Sequence, residues 1–328
     1  MTRVIAVTLA IVLTTGSASP LAYLKLGALV NGRVVDATWR NQPIGYFISE
    51  APGNGVSAAD LRGAVQRAAA TWSSVKSANV SFAFRGMTSA PAEDADGMTV
   101  FGFLHKPNLD RVLGATSFVI DTVTGEIVEA DIFFNTRFAF SVAANGQQNR
   151  VDLESVALHE LGHLLGLGHS AIGETERTSS GSRVLGSGAV MFPIALSPGT
   201  IGDRVLQPDD IAGISDIYPA GSATETGGIL GRVTKNGVGV LGAHVVAFNP
   251  ETGVVIGNFT LTPQGEFVIA QLPPGPYILR VEPLDDGDLD SFFSEAVDLD
   301  FRVTYAPRMV AAPRGGSSPS IEIQVKSR

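Results

Sequence analysis

One stretch of the chain holds most of the information in its sequence, and it reads HELGHLLGLGH over residues 159–169. The spacing places His159 and His163 one helical turn apart on the same face, where two imidazoles can bind one metal ion. Gly166 tolerates a positive φ and so allows a sharp turn, after which His169 can return as a third ligand. Glu160 lies beside the first ligand, where its carboxylate can hold a water molecule without binding the metal. Only five histidines occur in 328 residues and three of them lie here, so the stretch predicts a zinc site rather than an amphipathic helix with incidental histidines.

The first 19 residues have the pattern of a secretion signal. Arg3 supplies a positive start, residues 4–13 are apolar except for Thr8, and residues 16–19 are small. The apolar run has about ten residues, which is too short to span a bilayer as a helix. We therefore expect an exported chain that does not span a membrane, located in the extracellular space or, in a bacterium, in the periplasm or outside the cell.

The composition limits the ligands and partners of the chain. It contains no cysteine, so the fold has no disulfides and every metal ligand must be a histidine or a carboxylate. A net charge of −9 argues against nucleic acid and against an anionic membrane as partners. With 45% hydrophobic and 17% charged residues, the chain can build substantial cores, and the length left after residue 19 fits two domains better than one.

Residue periodicity predicts a mixed α and β region, a linker and an all-β region. Residues 20–37 form a short N-terminal segment, residues 38–219 mix strands with helices, and residues 220–228 have the polar, Gly-rich composition of a flexible linker. Capping and first-turn signals predict helices that begin after Ser57, after Asp152 and near Pro208. The predicted strands of this region lie within residues 39–49 and at residues 80–84, 98–103, 113–120 and 127–134.

Residues 229–328 show only short β-type runs separated by turn signals, a rhythm that predicts a small antiparallel β-sandwich. The predicted strands lie at residues 229–233, 244–249, 254–261, 267–269, 277–282, 297–303 and 321–325.

Residues 159–169 resemble the extended zinc signature of the metzincin metallopeptidases, and the residues around them resemble the matrixins, the matrix-metalloproteinase-like group. Ser170 follows the third histidine, residues 189–193 resemble the Met-turn of that clan, and residues 206–219 resemble the closing matrixin helix. The likeness covers residues 38–219. It implies an α+β fold in which a mixed twisted sheet has an antiparallel edge strand beside the active cleft and is accompanied by three helices.

The resemblance also implies roles for particular residues. One catalytic Zn²⁺ would be held by His159, His163 and His169, with Met191 packed beneath the metal as a non-ligand. An extended substrate would pair with the edge strand, for which residues 113–118 are the candidate. The substrate-binding residues carried over in this way are Leu113, Gly114 and Ala115 on that strand and Pro193, Ile194 and Ala195 after the Met-turn.

The chain departs from the family pattern in several places. Without cysteine, latency through a cysteine ligand is excluded, and residues 20–37 are too few for a folded prodomain. Residues 170–190 form a long Ser/Gly-rich insertion that could reshape the specificity pocket. Calcium is the other ion considered, yet the nearby acids form no complete calcium-loop signature, and solvated turn residues are the alternative interpretation. These acids are Asp94, Asp96, Asp121 and Asp131.

Turn motifs in residues 229–328 resemble the carboxypeptidase regulatory-like sandwich that accompanies many secreted enzymes. Two of them are residues 231–233 and residues 272–277. A domain of this kind is a candidate for binding a surface, a polysaccharide or a protein partner.

Three functions stay open at the level of the sequence, the third being a narrow self-processing peptidase that acts on its own linker or on a cell-surface partner. In the first, the chain is a secreted zinc-dependent endopeptidase acting on a protein or peptide substrate. The metal would lower the pKa of its water from 15.7 to about 7, and Glu160 would accept the proton as the water attacks a peptide carbonyl and deliver it to the leaving nitrogen. In the alternative, the chain is a secreted adhesion or matrix-binding protein with a secondary or inactive metalloprotease domain. The intact Glu160 counts against that alternative.

Overall fold

The structure is a computed structural model that describes residues 4–8, 24–30, 33–121, 123–178, 181–195, 197–221, 225–284, 292–293 and 297–328. The expected secretion signal, residues 1–19, lies outside the described residues apart from residues 4–8, and residues 222–224 of the expected linker also lie outside them. Among the described residues, no helix is both long enough and apolar enough to cross a membrane.

A six-stranded mixed sheet dominates the first part of the chain. The strands up to residue 135 are β1 (Val4–Thr8), β2 (Gly27–Val30), β3 (Arg33–Asp36), β4 (Ile44–Ser49), β5 (Phe82–Thr88), β6 (Val100–Leu104), β7 (Gly114–Asp121) and β8 (Ile127–Asn135). The sheet has the order β1-β7-β8-β6-β4-β5, while β2 and β3 form a separate hairpin. β8, β6, β4 and β5 pair in parallel, and β7 and β1 pair antiparallel. The mixed sheet expected from the resemblance is therefore present.

β7, the candidate edge strand, has one further neighbour on its outer side among the described residues. β1 pairs antiparallel with residues 117–121 of β7. An open strand edge presents a row of unpaired N–H and C=O groups, which an extended segment satisfies by adding a strand. The outer side of β7 therefore accepts an antiparallel neighbour.

Three α-helices lie within the described residues, as predicted: α1 (Ala58–Ser73), α2 (Leu153–Leu164) and α3 (Pro208–Ile217). Ser57 and Asp60 form the predicted capping box of α1, and Asp152 caps α2 by accepting a hydrogen bond from the Ser155 amide. The fully buried Trp72 joins the first two helices, since its indole Nε1 donates to the Leu158 carbonyl at 2.8 Å. This packing fixes α2 against the sheet and the first helix.

Short elements connect the sheet to the last helix. They are β9 (Phe140–Ser141), β10 (Val151–Asp152), β11 (Gly173–Thr178), β12 (Gly181–Ser187) and a 3₁₀ turn at Gly202–Arg204. β11 and β12 pair as a hairpin, so the insertion between the third histidine and Met191 has a regular structure that the sequence analysis does not predict.

Residues 225–328, as far as they are described, fold only as strands and loops, and we refer to them as the C-terminal β-region. The strands are β13 (Gly227–Lys235), β14 (Val238–Gly239), β15 (His244–Phe248), β16 (Val255–Phe259), β17 (Glu266–Leu272), β18 (Gly275–Glu282), β19 (Thr304–Tyr305), β20 (Val310–Ala312), β21 (Gly316–Ser317) and β22 (Ile321–Val325). β13 begins inside the stretch expected as a linker. The strand predicted at residues 297–303 is wrong, because these residues lie in an irregular segment.

Two sheets make up the C-terminal β-region. One is built around β13 with β14, β17, β21 and β22, and the other contains β16, β15, β18, β19 and β20. Buried residues of both sheets, such as Ile229, Val245 and Phe267, share one hydrophobic core, and Ala212 of α3 belongs to the same core. The C-terminal β-region therefore packs directly against the last helix of the preceding region.

Candidate metal centre

Three imidazole rings converge where the sequence predicts a metal. His159 and His163 lie on α2, and His169 follows in the loop after the helix. The ring centroids of His159 and His163 are 4.7 Å apart, as are those of His163 and His169, and the remaining pair is 5.4 Å apart. One nitrogen from each ring lies within 4.8 Å of the others. Among the described residues, this is the one group of three or more His, Cys, Asp or Glu side chains that could hold a metal ion.

Backbone carbonyls orient two of the three rings. The Nδ1 atom of His159 lies 2.8 Å from the Val190 carbonyl oxygen, and that of His163 lies 2.8 Å from the Leu167 carbonyl oxygen. A carbonyl can only accept, so each Nδ1 carries the proton and each Nε2 presents its lone pair to the centre. Burial lowers the pKa of both imidazoles, that of His163 to well below its ordinary value. Both are thereby held in the neutral form that binds metals.

The loop that brings His169 back is held by the N-terminal segment. Leu26 donates its amide to the Gly166 carbonyl at 2.8 Å, and Gly168 donates to the Leu24 carbonyl at 2.6 Å. Gly166 has φ +96°, and a Cβ there would lie 2.4 Å from the Ala37 carbonyl oxygen. Gly166 and Gly168 therefore allow both the turn and the close approach of Leu24 and Ala37.

Met191 lies beneath the helix that carries the first two histidines. A Cβ on Gly162 would lie 2.2 Å from the Met191 sulfur and 3.0 Å from the ring of Trp72. Only glycine fits at this position of α2, so the sulfur packs directly on the helix backbone. The side chain of Met191 is buried, in agreement with a packing role.

Asp210 of α3 fixes the turn that contains Met191. One carboxylate oxygen accepts hydrogen bonds from the amides of Val190 and Gln207 at 2.8 Å each, and the other accepts from the Met191 amide at 3.0 Å. The Val190 carbonyl then accepts the His159 Nδ1 proton. Burial raises the pKa of Asp210 to about 7, against the lowering effect of these amides. Asp210 thus positions His159 through one peptide unit.

Glu160 is buried next to the start of β7. Its Oε2 accepts a hydrogen bond from the Thr116 hydroxyl at 2.8 Å. A Cβ at Gly114 would lie 3.2 Å from Oε1, so glycine leaves space beside this second oxygen. Burial raises the pKa of Glu160 to about 7, and the Thr116 hydrogen bond opposes the increase. A carboxyl group with this pKa can both accept and release a proton near neutral pH.

The residues expected to bind substrate lie in two segments of the chain. Gly114 and Ala115 begin β7, and Leu113 directly precedes it. In the second segment, after Met191, Pro193 and Ile194 are half-buried and Ala195 is exposed.

Two of the four candidate calcium acids, Asp131 and Asp121, accept hydrogen bonds from backbone amides. Asp131 accepts a hydrogen bond from the Val100 amide at 2.7 Å. Asp121 accepts from the amides of Val123 and Thr124 in the turn after β7. Their contacts therefore support the turn and strand geometry of the sheet.

Sequence reasoning missed Thr116 and the contact of Asp210 with the Met-turn. Thr116 carries no motif, and its position opposite Glu160 results from the packing of β7 on α2. Asp210 is expected from the sequence only as a favourable charge in the first turn of a helix. Its spacing three residues after Gln207 is a local signal for capping, but its contact with residues 190 and 191 is a tertiary one.

The chain is similar to known proteins over parts of its length. The chain is 44% identical over 80 residues to Metalloendoproteinase 5-MMP of Arabidopsis thaliana and 43% identical over 72 residues to Metalloendoproteinase 2-MMP of the same plant. These alignments cover 24% and 21% of this chain but only 17% and 14% of the two relatives. A solved structure, the Bacillus anthracis TIE protein, matches 31% of this chain and 17% of its own at 13% identity, with a TM-score of 0.23, too low to inform the fold.

A longer stretch of the chain matches a family. The Matrixin family model matches residues 38–219, more than half of the 328 residues. That range contains the three histidines, Glu160 and Met191. The chain belongs to the matrixin family.

Proposed function

We propose that this chain is a secreted zinc-dependent endopeptidase, in which three histidines hold the metal and Glu160 transfers protons. The observation that carries the proposal is the convergence of His159, His163 and His169 beside a buried carboxyl group whose second oxygen has open space next to it. The family and the printed names of the relatives support the same class of activity.

The ligand set suits zinc. Three neutral imidazoles form a common catalytic zinc set, which leaves a further coordination position for water or substrate. The backbone acceptors at Nδ1 of His159 and His163 are the outer partners that metal-bound histidines usually have. When bound, zinc supplies Lewis acidity, which lowers the pKa of water and polarises a carbonyl group.

Glu160 acts as the base and then as the acid. Thr116 occupies its Oε2, so Oε1 is the oxygen that takes the proton of the attacking water. The same oxygen then delivers the proton to the leaving nitrogen. The pKa of about 7 suits both steps, because the two protonation states are then similar in free energy near neutral pH.

The substrate binds as an extended chain along β7. The antiparallel pairing of β1 with residues 117–121 supports this role, since it is the geometry by which a peptide adds to a strand edge. Removal of residues 1–19 as a secretion signal would leave that edge open to substrate. Leu113, Gly114 and Ala115 then contact the substrate beside Glu160. On the opposite side of the cleft, Pro193, Ile194 and Ala195 border the S1′ position.

Proteolysis by the exported form of the chain, residues 20–328, tests the proposal on unfolded casein. We expect cleavage that stops with a chelator and returns with zinc. Glu160→Gln should bind zinc with unchanged stoichiometry and lose at least about 10²-fold of the rate. A zinc-loaded wild type that cleaves neither casein nor a broad peptide library would refute the proposal.

In the second candidate function, the chain is a secreted adhesion or matrix-binding protein. Residues 229–328 then form a carboxypeptidase regulatory-like β-sandwich that binds the partner. The shared core of the two C-terminal sheets supports this domain assignment, with residues 220–228 joining it to residues 38–219. We expect it to bind a polysaccharide, a surface or a protein partner. The test uses full-length Glu160→Gln, which cannot degrade its partners, in pull-downs on polysaccharides and matrix proteins. Tight binding together with an inactive wild type would favour adhesion over proteolysis.

A further inference from the structure

We propose that the C-terminal β-region positions the third metal ligand, so that part of the zinc affinity resides outside the segment matched by the family. The inference rests on the proposed zinc site and concerns His169 alone. It is carried by an aromatic contact on the ring and by a buried hydrogen bond next to it in the chain.

The aromatic contact comes from Phe292. Its ring meets that of His169 edge to face, with centroids 6.1 Å apart and an angle of 70° between the planes. Phe292 is fully buried, and Phe259 lies behind it at a centroid distance of 5.6 Å. Aromatic pairs prefer this geometry. The ring of His169 is therefore in contact with side chains of the C-terminal β-region.

The hydrogen bond runs through Asp209 of α3. Its Oδ1 accepts from the Gly257 amide of β16 at 2.8 Å, and its Oδ2 accepts from the Ser170 hydroxyl at 2.6 Å. The Ser170 hydroxyl in turn accepts from the Ile172 amide. The carboxylate is buried, so it links the residue next to the third ligand to the backbone of the C-terminal β-region.

Glycine is required at position 257 for β16 to lie this close to Asp209 and to the loop after His169. A Cβ there would lie 2.6 Å from Nε2 of His244 and 2.7 Å from Cδ1 of Ile172. Ile172 and Ala189, which precede and follow the β11–β12 hairpin, pack on Val246 of β15. The loop after His169 and the residues before the Met-turn therefore both pack on β15 and β16.

His169 differs from His159 and His163 in lying in the loop after α2. Side chains from distant segments of the chain therefore contribute to the position of its ring. Loss of a partner that orients a metal-bound histidine typically lowers metal affinity by about 10- to 100-fold. We expect the same when the contacts from the C-terminal β-region are removed.

The test measures zinc affinity of the folded, metal-free full-length chain by competition with a chromophoric chelator. Phe292→Ala should bind zinc about 10- to 100-fold more weakly than wild type. Phe301→Ala is the matched control, because Phe301 is equally buried but belongs to the core between the two C-terminal sheets. Its zinc affinity should stay within about twofold of wild type. Phe292→Leu, which keeps more of the packing, replaces Phe292→Ala should the latter not fold.

Two substitutions of Asp209 provide a second test, in which the loss of zinc affinity should depend on how many acceptor oxygens remain. Asp209→Leu removes both acceptors and should lower zinc affinity and alter the visible spectrum of the cobalt-substituted protein. Asp209→Asn keeps one carbonyl oxygen for the Gly257 amide and should recover part of the affinity. Equal zinc affinity in wild type, Phe292→Ala and Asp209→Leu would overturn the inference while leaving the zinc site intact. Absence of zinc binding by wild type would instead refute the proposed function.

Discussion

Burial raises the pKa of Glu160, and the hydroxyl of Thr116 opposes that increase. This hydroxyl donates to Oε2 inside a buried site, where a hydrogen bond to a charged acceptor is worth about 1.5–3 kcal/mol. The bond favours the ionised carboxylate and so opposes the effect of burial on its pKa. Thr116→Val has nearly the same shape and removes only the donor. We expect the acidic limb of kcat/KM for casein peptides to move to higher pH by about one unit.

A second buried threonine provides the control for that experiment. Thr99 directly precedes β6 and accepts a hydrogen bond from the Ala130 amide, and β8 lies between β6 and β7 in the sheet. Thr99→Val should lower stability without moving the pH profile. The assignment of Glu160 as the base fails if Thr116→Val and Thr99→Val have identical acidic limbs.

Burial of Glu160 also makes the stability of the metal-free protein depend on pH. Its pKa in the folded chain is about 7, above the ordinary value of 4.5. Between these values the folded chain binds more protons than the unfolded chain, so the free energy of unfolding falls as the pH rises. The loss from this group amounts to at most about 3 kcal/mol. Glu160→Gln lacks this titration and should lose less stability across the window.

Urea unfolding with chelator present, at pH 5 and pH 8, checks this expectation. Asp131 and Asp210, whose pKa values are also raised by burial, titrate in both proteins and cancel in the comparison. Parallel losses of stability in wild type and Glu160→Gln would show that Glu160 is ionised in the metal-free fold.

At the scale of elements, the sequence predicts what local signals determine. The helix that carries His159 and His163 begins after Asp152, and the chain turns after this helix at Gly166, as expected. Both features are local, because a cap and a glycine with positive φ act within a few residues. The strand at residues 321–325 is predicted correctly for the same reason, as its alternation is local. The capping box at Ser57 is a third example.

The features that the sequence does not predict depend on distant contacts. Residues 297–303 are apolar enough for a strand, yet Val297 and Leu299 pack on the cluster around Phe259 and Phe292, and Phe301 enters the core between the sheets. The β11–β12 hairpin lies in a stretch whose Ser/Gly-rich composition suggests a loop. Tertiary packing overrides the local pattern at residues 297–303.

The N-terminal segment is the element whose contact with the site can be tested most cleanly. A Cβ on Gly168 would lie 2.8 Å from Cβ and 2.9 Å from the carbonyl oxygen of Leu24, and backbone atoms cannot move aside cheaply. Gly168→Ala should therefore displace residues 24–26, lower the unfolding free energy by about 1–3 kcal/mol and weaken zinc binding. Thermal unfolding with and without zinc measures both effects.

Gly186 is the matched position for this variant. It lies in β12, and a Cβ there would meet no atom within 4 Å. Gly186→Ala should leave both melting temperature and zinc response unchanged. If Gly168→Ala also leaves the melting temperature and the zinc response unchanged, the N-terminal segment does not support the loop that carries His169.

At the scale of the whole molecule, support for the metal centre is distributed along the chain. Residues 24–26 bind the loop that carries His169. Asp210 fixes the Met-turn, and the C-terminal β-region contacts His169 through Phe292. The motif alone supplies the ligands, but their arrangement depends on segments on both sides of the matched range. The two parts of the chain should accordingly unfold together rather than as independent domains.

The two tryptophans allow a direct test of this coupling. The chain contains two, Trp39 and Trp72, and both lie in the first part, so their fluorescence does not report the C-terminal sheets directly. Phe301→Ala removes a fully buried ring from the C-terminal core, a change that costs about 3–5 kcal/mol. If the interface couples the two parts, the urea midpoint reported by the tryptophans should fall by the same amount as the midpoint from far-UV circular dichroism. A tryptophan midpoint that stays at the wild-type value would show that the parts unfold independently, since the loss of C-terminal stability would then not reach the metal-binding region.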